Sequence, residues 1–189
     1  MFSPLRFQTA ASRIARRHPS ATSVRGFHAS PGTCIEVGDP VPNIQLREDT
    51  PGNKVSIAQE LEGKRKALIL GVPGAFSPAC SAAHIAKYIE AKIHVPTYVV
   101  AVNDPFVTKA WKDSFISRDD KTFRFLADSS SEFTDAIGMK FDATAIFGGP
   151  RSRRYALIVE DGKVSKMFAE PDNTGVSVTS ADNILPELQ

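Results

Sequence analysis

Cysteine is scarce in this chain: Cys34 and Cys80 are the only two among 189 residues. Two cysteines cannot form the disulfide framework of a small secreted protein, so the fold must depend on a hydrophobic core. Long apolar runs are missing as well, since no stretch reaches the roughly 20 apolar residues that a membrane-spanning helix needs. The composition therefore argues against a disulfide scaffold and predicts no membrane span.

Acidic residues are absent from the first part of the chain, where the first one is Glu36. The same segment carries five arginines among serine, threonine and alanine, at Arg6, Arg13, Arg16, Arg17 and Arg25. This composition is typical of a mitochondrial transit peptide, although a basic tail for nucleic acid or a membrane surface is an alternative. The remaining residues carry 18 basic against 21 acidic side chains, which predicts no nucleic-acid binding.

The end of this leader resembles a two-step mitochondrial processing site. Arg25 stands two residues before a first cut, and Phe27-His-Ala-Ser30 opens an octapeptide that a second cut removes. Residues 1–34 are therefore expected to be a transit peptide that is cleaved off, leaving residues 35–189 as one mature domain. Cys34 would be lost in this processing, and Ile35 would become the first residue.

Cys80 lies between an apolar run and a predicted helix. Residues 66–72 have the composition of a buried parallel strand, and residues 81–91 are predicted to be helical. The unpaired N–H groups and the positive dipole end of that helix would favour a thiolate at Cys80. The alternative is a buried structural cysteine, which is the commonest fate of a free thiol.

The remaining segments predict an α/β domain. Residues 43–57 contain two short strands around a Pro-Gly-Asn turn, and residues 95–103 and 123–127 are further strands. Residues 155–159 and 164–169 form a predicted hairpin. Helices are expected from Asp104 to about residue 117, over about 131–138, and over 180–188 with Ser180 as a cap. This order predicts a mixed central sheet with helices on both faces and resembles the thioredoxin fold.

The spacing Pro73-x-x-x-Ser77-x-x-Cys80 resembles the active-site signature of the peroxiredoxins, and the surrounding residues resemble the type II, or peroxiredoxin 5-like, subfamily. The resemblance covers roughly residues 36–189 and continues through four further segments: 102–111, 125–128, 154–162 and 170–175. It implies a thioredoxin-like fold, a homodimer and an antioxidant enzyme. Such an enzyme reduces hydrogen peroxide and alkyl hydroperoxides through a sulfenic acid, here at Cys80.

The resemblance also implies an arginine beside the cysteine, just before the strand at 155–159. Arg154 fits that position, and a guanidinium can donate to both the thiolate and a peroxide oxygen. Arg151 and Arg153 are instead expected to be solvated loop residues. Ser77 would donate a hydroxyl hydrogen bond, Pro73 would fix the loop, and the N–H groups of Cys80 and its neighbour would hold a peroxide oxygen.

Other candidate residues have weaker support from the sequence. His84 lies one helical turn after Cys80, where it would tune the thiolate or gate the pocket. More commonly such a histidine is a packed, hydrogen-bonded helix residue. Phe76, Trp111 and Phe147 are expected to be core or pocket wall. Neither a metal site nor a cofactor is predicted, because the cysteines and His94 do not form a ligand cluster.

Many relatives carry a second, resolving cysteine near the chain end, whereas this sequence has Val178 in that place and no cysteine after Cys80. The enzyme is therefore expected to use one cysteine and to be reduced by an external thiol, either glutathione with or without glutaredoxin, or thioredoxin. Two other interpretations stay open: a peroxide sensor that relays oxidation to a partner protein, and a non-catalytic interaction or holdase protein.

Overall fold

The computed structural model describes residues 34–117 and 120–189. The predicted transit peptide, apart from Cys34, lies outside the described residues. The strands are β1 (Gln45–Glu48), β2 (Lys54–Ser56), β3 (Lys66–Val72), β4 (Thr97–Ala101), β5 (Phe123–Ala127), β6 (Lys140–Asp142), β7 (Pro150–Ser152), β8 (Tyr155–Glu160) and β9 (Lys163–Ala169). The helices are α1 (Ile57–Glu60), a π-helix (Ala79–Ile85), α2 (Ala86–Glu90), α3 (Pro105–Asp113), α4 (Glu132–Ala136), α5 (Thr144–Phe147), α6 (Ala181–Ile184) and a 3₁₀ helix (Leu185–Leu188).

Seven strands form one mixed sheet in the order β2-β1-β5-β4-β3-β8-β9. Its centre is parallel, because β4 pairs in parallel with both β3 and β5, and the other neighbouring pairs are antiparallel. Strands β6 and β7 form a separate two-stranded sheet. The central sheet is the mixed sheet that the sequence predicts, in a thioredoxin-like fold.

A hydrophobic core lies on each face of the sheet, as the alternation along β3 shows. Ile69 packs into one cluster with residues from α1 and α4, such as Phe133. Leu68 and Leu70 point to the opposite cluster, which includes Cys80 and residues from α2, α3 and α6. The prediction of helices on both faces is confirmed, and Cys80 belongs to the second core.

The helix predicted at 81–91 has a different geometry from the expected one. It begins at Ala79 as a π-helix, and the Ala86 N–H donates to the carbonyl of Ser81 five residues earlier. It continues as α2 only from Ala86 to Glu90. Hydrophobic periodicity cannot distinguish these geometries over so short a segment, and π-turns are often found at functional sites.

Several other boundaries differ from the predictions, mostly at short elements. Helix α3 ends at Asp113, earlier than predicted, but Asp104 caps it as expected by accepting from the N–H groups of Phe106 and Val107. Ser180 makes no side-chain cap for α6. The sequence analysis did not identify α1, α5, β6 or β7, which have three or four residues each.

Gly71 in β3 leaves room for the Tyr155 ring of β8. Gly71 pairs with Tyr155, and a Cβ atom at Gly71 would lie 2.0 Å from Cε1 of the Tyr155 ring. Any larger residue at Gly71 would therefore displace the ring. Because Tyr155 sits opposite the carboxyl end of β3, the residue before it reaches the loop that follows β3.

Candidate active site

Cys80 is a free thiol buried in the first turn of the π-helix, with 0% of its surface exposed. It follows β3 after the loop 73–78. The N–H groups of Ala79 and Cys80 open the helix and so have no partner within it. A buried sulfur at this position can receive a hydrogen bond only from groups that the fold places around it.

Arg154 is the side chain that the fold places against this sulfur. It precedes β8, is 1% exposed, and its Nη1 lies 3.4 Å from the Cys80 Sγ. The register that pairs Gly71 with Tyr155 explains this position, because it continues to place Arg154 opposite Val72, the last residue of β3. The sequence analysis chose Arg154 among three arginines, and it is the one that contacts the thiol.

The other edge of the Arg154 guanidinium is fixed by backbone carbonyls. Nε donates to Gly175 over 2.6 Å and to Thr174 over 3.2 Å, and Nη2 donates to Thr174 over 2.9 Å. The Arg154 N–H also donates to the Asn173 carbonyl. These acceptors belong to residues 170–179, a segment that we call the strap.

Arg151 and Arg153 are not the solvated loop residues that the sequence analysis expected. Arg151 is half-buried and donates to the carbonyls of Val102 and Phe147. Arg153 is also half-buried and donates to the Glu170 carbonyl. Both lie in or beside β7, a strand too short to be detected from the sequence, and both use backbone acceptors.

Pro73 and Ser77 lie in the loop between β3 and the π-helix. Pro73 is buried and Ser77 is half-buried. The Ser77 backbone joins loop to helix, since its carbonyl accepts from the Ser81 N–H over 2.9 Å. The described residues show no hydrogen bond between the Ser77 hydroxyl and Cys80, so that role stays a prediction.

The aromatic residues near the loop differ in exposure. Trp111 is buried, and its Nε1 donates to the Ser81 hydroxyl next to Cys80, in agreement with a core or wall position. The Phe147 ring lies against Gly74, where a Cβ would be 3.1 Å away. Phe76 is not a core residue, because it is 53% exposed, with a left-handed φ of 61°, and its alternative position in a pocket wall stays a prediction.

His84 is buried between Arg154 and the strap. Its Nδ1 lies 3.2 Å from Arg154 Nη1, and its Nε2 lies 3.1 Å from the carbonyl of Thr179. Because a guanidinium only donates and a carbonyl only accepts, Nδ1 is the acceptor and Nε2 carries the hydrogen. Burial, helped by the charge of Arg154, lowers the pKa of His84 to about 3, so the ring is neutral at physiological pH.

Glu170 is a buried carboxylate that the sequence analysis did not assign a role. It is 1% exposed and accepts four hydrogen bonds, from the backbone N–H and hydroxyl groups of Ser177 and Thr179. Burial raises the pKa of Glu170, but these hydrogen bonds outweigh it and lower the value to about 2. The carboxylate thus holds the two ends of the strap together.

Cys34 lies on the opposite side of the sheet from Cys80. Its exposed Sγ donates to the carbonyl of Gly138, and the next residue, Ile35, packs into the core on the α4 side. Cys80 packs into the core on the other side. The two sulfurs cannot form a disulfide within one chain while the sheet stays folded between them.

Two further structural findings concern the described residues. No group of three or more histidine, cysteine, aspartate or glutamate side chains among them has the arrangement of a metal site. Within residues 34–117 and 120–189, no helix has the length and apolar character needed to cross a membrane.

Comparison with known proteins identifies the family. The Redoxin family profile matches residues 36–185. The chain is 45% identical over 159 residues to peroxisomal membrane associated protein 20 of Schizosaccharomyces pombe, covering 82% of this chain and 99% of that protein. It is 36% identical over 162 residues to peroxiredoxin-2B of Arabidopsis thaliana, covering 82% and 98%. Reduced Prx3 of Vibrio vulnificus in complex with hydrogen peroxide has a similar structure, with a TM-score of 0.70, 34% identity and coverage of 82% and 99%.

The chain belongs to the Redoxin family and is a peroxiredoxin. A peroxiredoxin is a thiol-dependent peroxidase, an oxidoreductase that reduces peroxides with a cysteine and is regenerated by thiols. The fold and enzyme class that the sequence resemblance implied are therefore confirmed. In this peroxiredoxin, Cys80 is the thiol that the fold combines with a buried cation.

We expect the free energy of unfolding of this peroxiredoxin to decrease as the pH falls. His84 should cause the first part of this decrease. As the pH falls from about 6.5 towards 3, unfolded His84 takes up a proton that the folded ring does not accept. Unfolded Glu170 begins to bind a proton near pH 4.5, before the folded carboxylate does. Each group lowers the free energy of unfolding by at most about 1.4 kcal/mol per pH unit.

Urea unfolding at about pH 7, 5.5 and 4 measures this dependence. A His84→Asn variant is the control, because it lacks the titrating imidazole. It should lose less stability than the natural protein between about pH 6.5 and 4.5. An identical pH dependence in both proteins would contradict the assignment of a neutral, buried His84.

Proposed function

We propose that Cys80 is the thiol that reacts with hydrogen peroxide and alkyl hydroperoxides. The observation that carries this proposal is the Arg154 Nη1, 3.4 Å from a fully buried Sγ. The thiolate attacks the hydroxyl oxygen of the peroxide, the O–O bond breaks, and Cys80 becomes a sulfenic acid. The other oxygen leaves with the bonding electrons and takes up a proton to become water or an alcohol.

Arg154 would act in this step as an electrostatic stabiliser. Its charge favours the thiolate before reaction, and its N–H groups lie close to where charge develops on the peroxide oxygens. The N–H groups of Ala79 and Cys80 at the start of the helix would hold the same oxygens. The Ser77 hydroxyl would supply a weaker neutral donor, and Pro73 would restrict the loop that carries it.

We propose that this peroxiredoxin uses one cysteine per catalytic cycle. The sequence has no cysteine after Cys80, and Cys34 lies on the opposite face of the sheet. An external thiol would condense with the sulfenic acid, releasing water and forming a mixed disulfide, and a second thiol would release reduced Cys80. Glutathione, with or without glutaredoxin, and thioredoxin are the proposed sources of these thiols.

The leader supports a mitochondrial enzyme that contributes to antioxidant defence and redox balance there. It has five arginines and no acidic residue before Glu36, as in a transit peptide.

We also propose a homodimer. Phe76, Phe106 and Ile146 support it, because these apolar side chains are 53–69% exposed and belong to loops and helices around the carboxyl ends of β3 and β4.

Substitutions at the site should differ in how far they lower the rate of reaction with peroxide. Cys80→Ser should abolish peroxidase turnover, because the chain's other thiol, Cys34, lies on the opposite face of the sheet from Arg154. Arg154→Lys keeps the charge but loses the planar fork, and should lower the second-order rate with peroxide by about ten- to a thousand-fold. Ser77→Ala should have a smaller effect, since a neutral hydroxyl bonds an anion more weakly.

Arg153→Lys is the matched control for Arg154→Lys, because Arg153 donates to a backbone carbonyl and not to the thiol. Its rate should stay within about three-fold of the natural protein. Stopped-flow kinetics with peroxide measure all of these rates. A severe effect at Arg153 with a near-natural rate at Arg154 would contradict the assignment, as would turnover in Cys80→Ser.

Peroxide oxidation should leave the protein without an internal disulfide. We expect a trappable sulfenic acid at Cys80 and, under excess peroxide, its conversion to sulfinic acid, because no internal thiol intercepts it. Mass spectrometry of the full chain and of Cys34→Ser should give the same products. A fast internal disulfide that Cys34→Ser removes would show a two-cysteine enzyme, and transfer to one partner protein without small-thiol turnover would indicate a relay.

The leader should be sufficient for mitochondrial import. A fusion of residues 1–34 to a fluorescent protein should co-localise with a mitochondrial marker, and replacing its five arginines by glutamine should leave the fusion in the cytosol. A peroxisomal marker is included because the Schizosaccharomyces pombe relative is named for that membrane. Cytosolic or peroxisomal fluorescence of the unmodified fusion would contradict the proposal.

A further inference from the structure

We infer that His84 is a positioning residue for Arg154: its neutral imidazole accepts from Nη1 and so sets the guanidinium plane that contacts Cys80. This inference rests on the proposed role of Cys80. Nη1 has two hydrogens, and its two neighbours are the Cys80 Sγ at 3.4 Å and the His84 Nδ1 at 3.2 Å. An acceptor on one side of Nη1 therefore fixes the direction of the N–H on the other side.

The acceptor state of Nδ1 depends on the strap. The carbonyl of Thr179 can only accept, so it holds the ring hydrogen on Nε2, 3.1 Å away, and leaves Nδ1 with a free lone pair. The opposite tautomer would place two donors face to face at Arg154. The strap thus selects the tautomer, and the tautomer orients the guanidinium.

The surroundings of His84 keep the ring neutral and fixed. The titratable and charged groups around it are Arg154, Glu170 and Tyr88, and Cys80 shares the Arg154 Nη1 with it. The Tyr88 ring packs edge-on against the imidazole with centroids 5.5 Å apart. The imidazole is fully buried, so an apolar replacement would leave the Nη1 hydrogen without an acceptor and without water.

Tyr88 provides a natural comparison for His84. Its hydroxyl donates to the same Thr179 carbonyl over 2.7 Å, but it makes no hydrogen bond to Arg154. If His84 merely anchors the strap, its replacement should therefore have the same effect on activity as the replacement of Tyr88. If His84 positions Arg154, the two effects should differ.

Two amide variants separate the two bonds of the imidazole. In His84→Asn, the amide oxygen replaces Nδ1 as the acceptor for Arg154, and the bond to Thr179 is lost. In His84→Gln, the amide nitrogen replaces Nε2 as the donor to Thr179, and the acceptor for Arg154 is lost. Tyr88→Phe removes a bond to Thr179 alone, and thermal unfolding checks that each variant is folded.

The readouts are the rate with hydrogen peroxide and the pH profile of Cys80 alkylation by iodoacetamide. His84→Gln should lower the peroxide rate by about five- to thirty-fold and shift the midpoint of the alkylation profile upward by about 0.7 to 1.5 pH units. His84→Asn and Tyr88→Phe should stay within about three-fold of the natural rate and keep the natural midpoint.

The inference is wrong if His84→Asn shows the larger defect, or if His84→Gln keeps the natural profile. It is also wrong if His84→Asn and Tyr88→Phe lose as much activity as His84→Gln, since the defect would then not follow the loss of the acceptor for Arg154. Alkylation needs no peroxidase activity, so the profile tests His84 even if Cys80 proves slow with peroxide. Slow peroxide reaction with the expected profiles would overturn the proposed function and leave the positioning role supported.

Discussion

The buried guanidinium of Arg154 is the interaction on which the site depends. A charge with 1% exposure is costly unless its N–H groups have acceptors, and water is excluded from this position. The fold supplies the carbonyls of Thr174 and Gly175 on one side, and the Cys80 sulfur and the His84 imidazole on the other. The acceptors belong to two segments of the chain, the strap and the π-helix, so the guanidinium fixes the relative position of these segments.

The strap is the least regular of these segments and the one most dependent on polar contacts. It contains no helix or strand that would satisfy its own backbone groups. Glu170 compensates by accepting from Ser177 and Thr179. Carbonyls of the same segment accept hydrogen bonds from the side chains of Arg154, His84 and Tyr88. The strap and the guanidinium therefore become ordered together.

The sequence predicts those features that depend on local pattern or on spacing. The strand at Lys66–Val72 follows from an apolar run, and the Asp104 cap from a capping residue. The choice of Arg154 needed the family resemblance, which implies an arginine just before the strand at 155–159. The π-helix, the half-buried Arg151 and Arg153, and the contacts of His84 depend on long-range packing. The Glu170 network has no local signal either, because its donors lie seven and nine residues away in an irregular segment.

The location of Cys80 within one core supports the proposal that an external thiol reduces it. Its sulfur faces the second cluster, together with residues of β3 and α3, and the sheet separates it from Cys34. In the proposed cycle, the reducing thiol would approach from the loop at 73–78 and the start of the π-helix, where Pro78 and Ala79 are exposed. Because Cys80 itself has no exposed surface, this turn would have to move to bring a sulfenic acid at Cys80 within reach of that thiol. Peroxide would approach the same buried sulfur, so the two proposed half-reactions would share this segment and occur in turn.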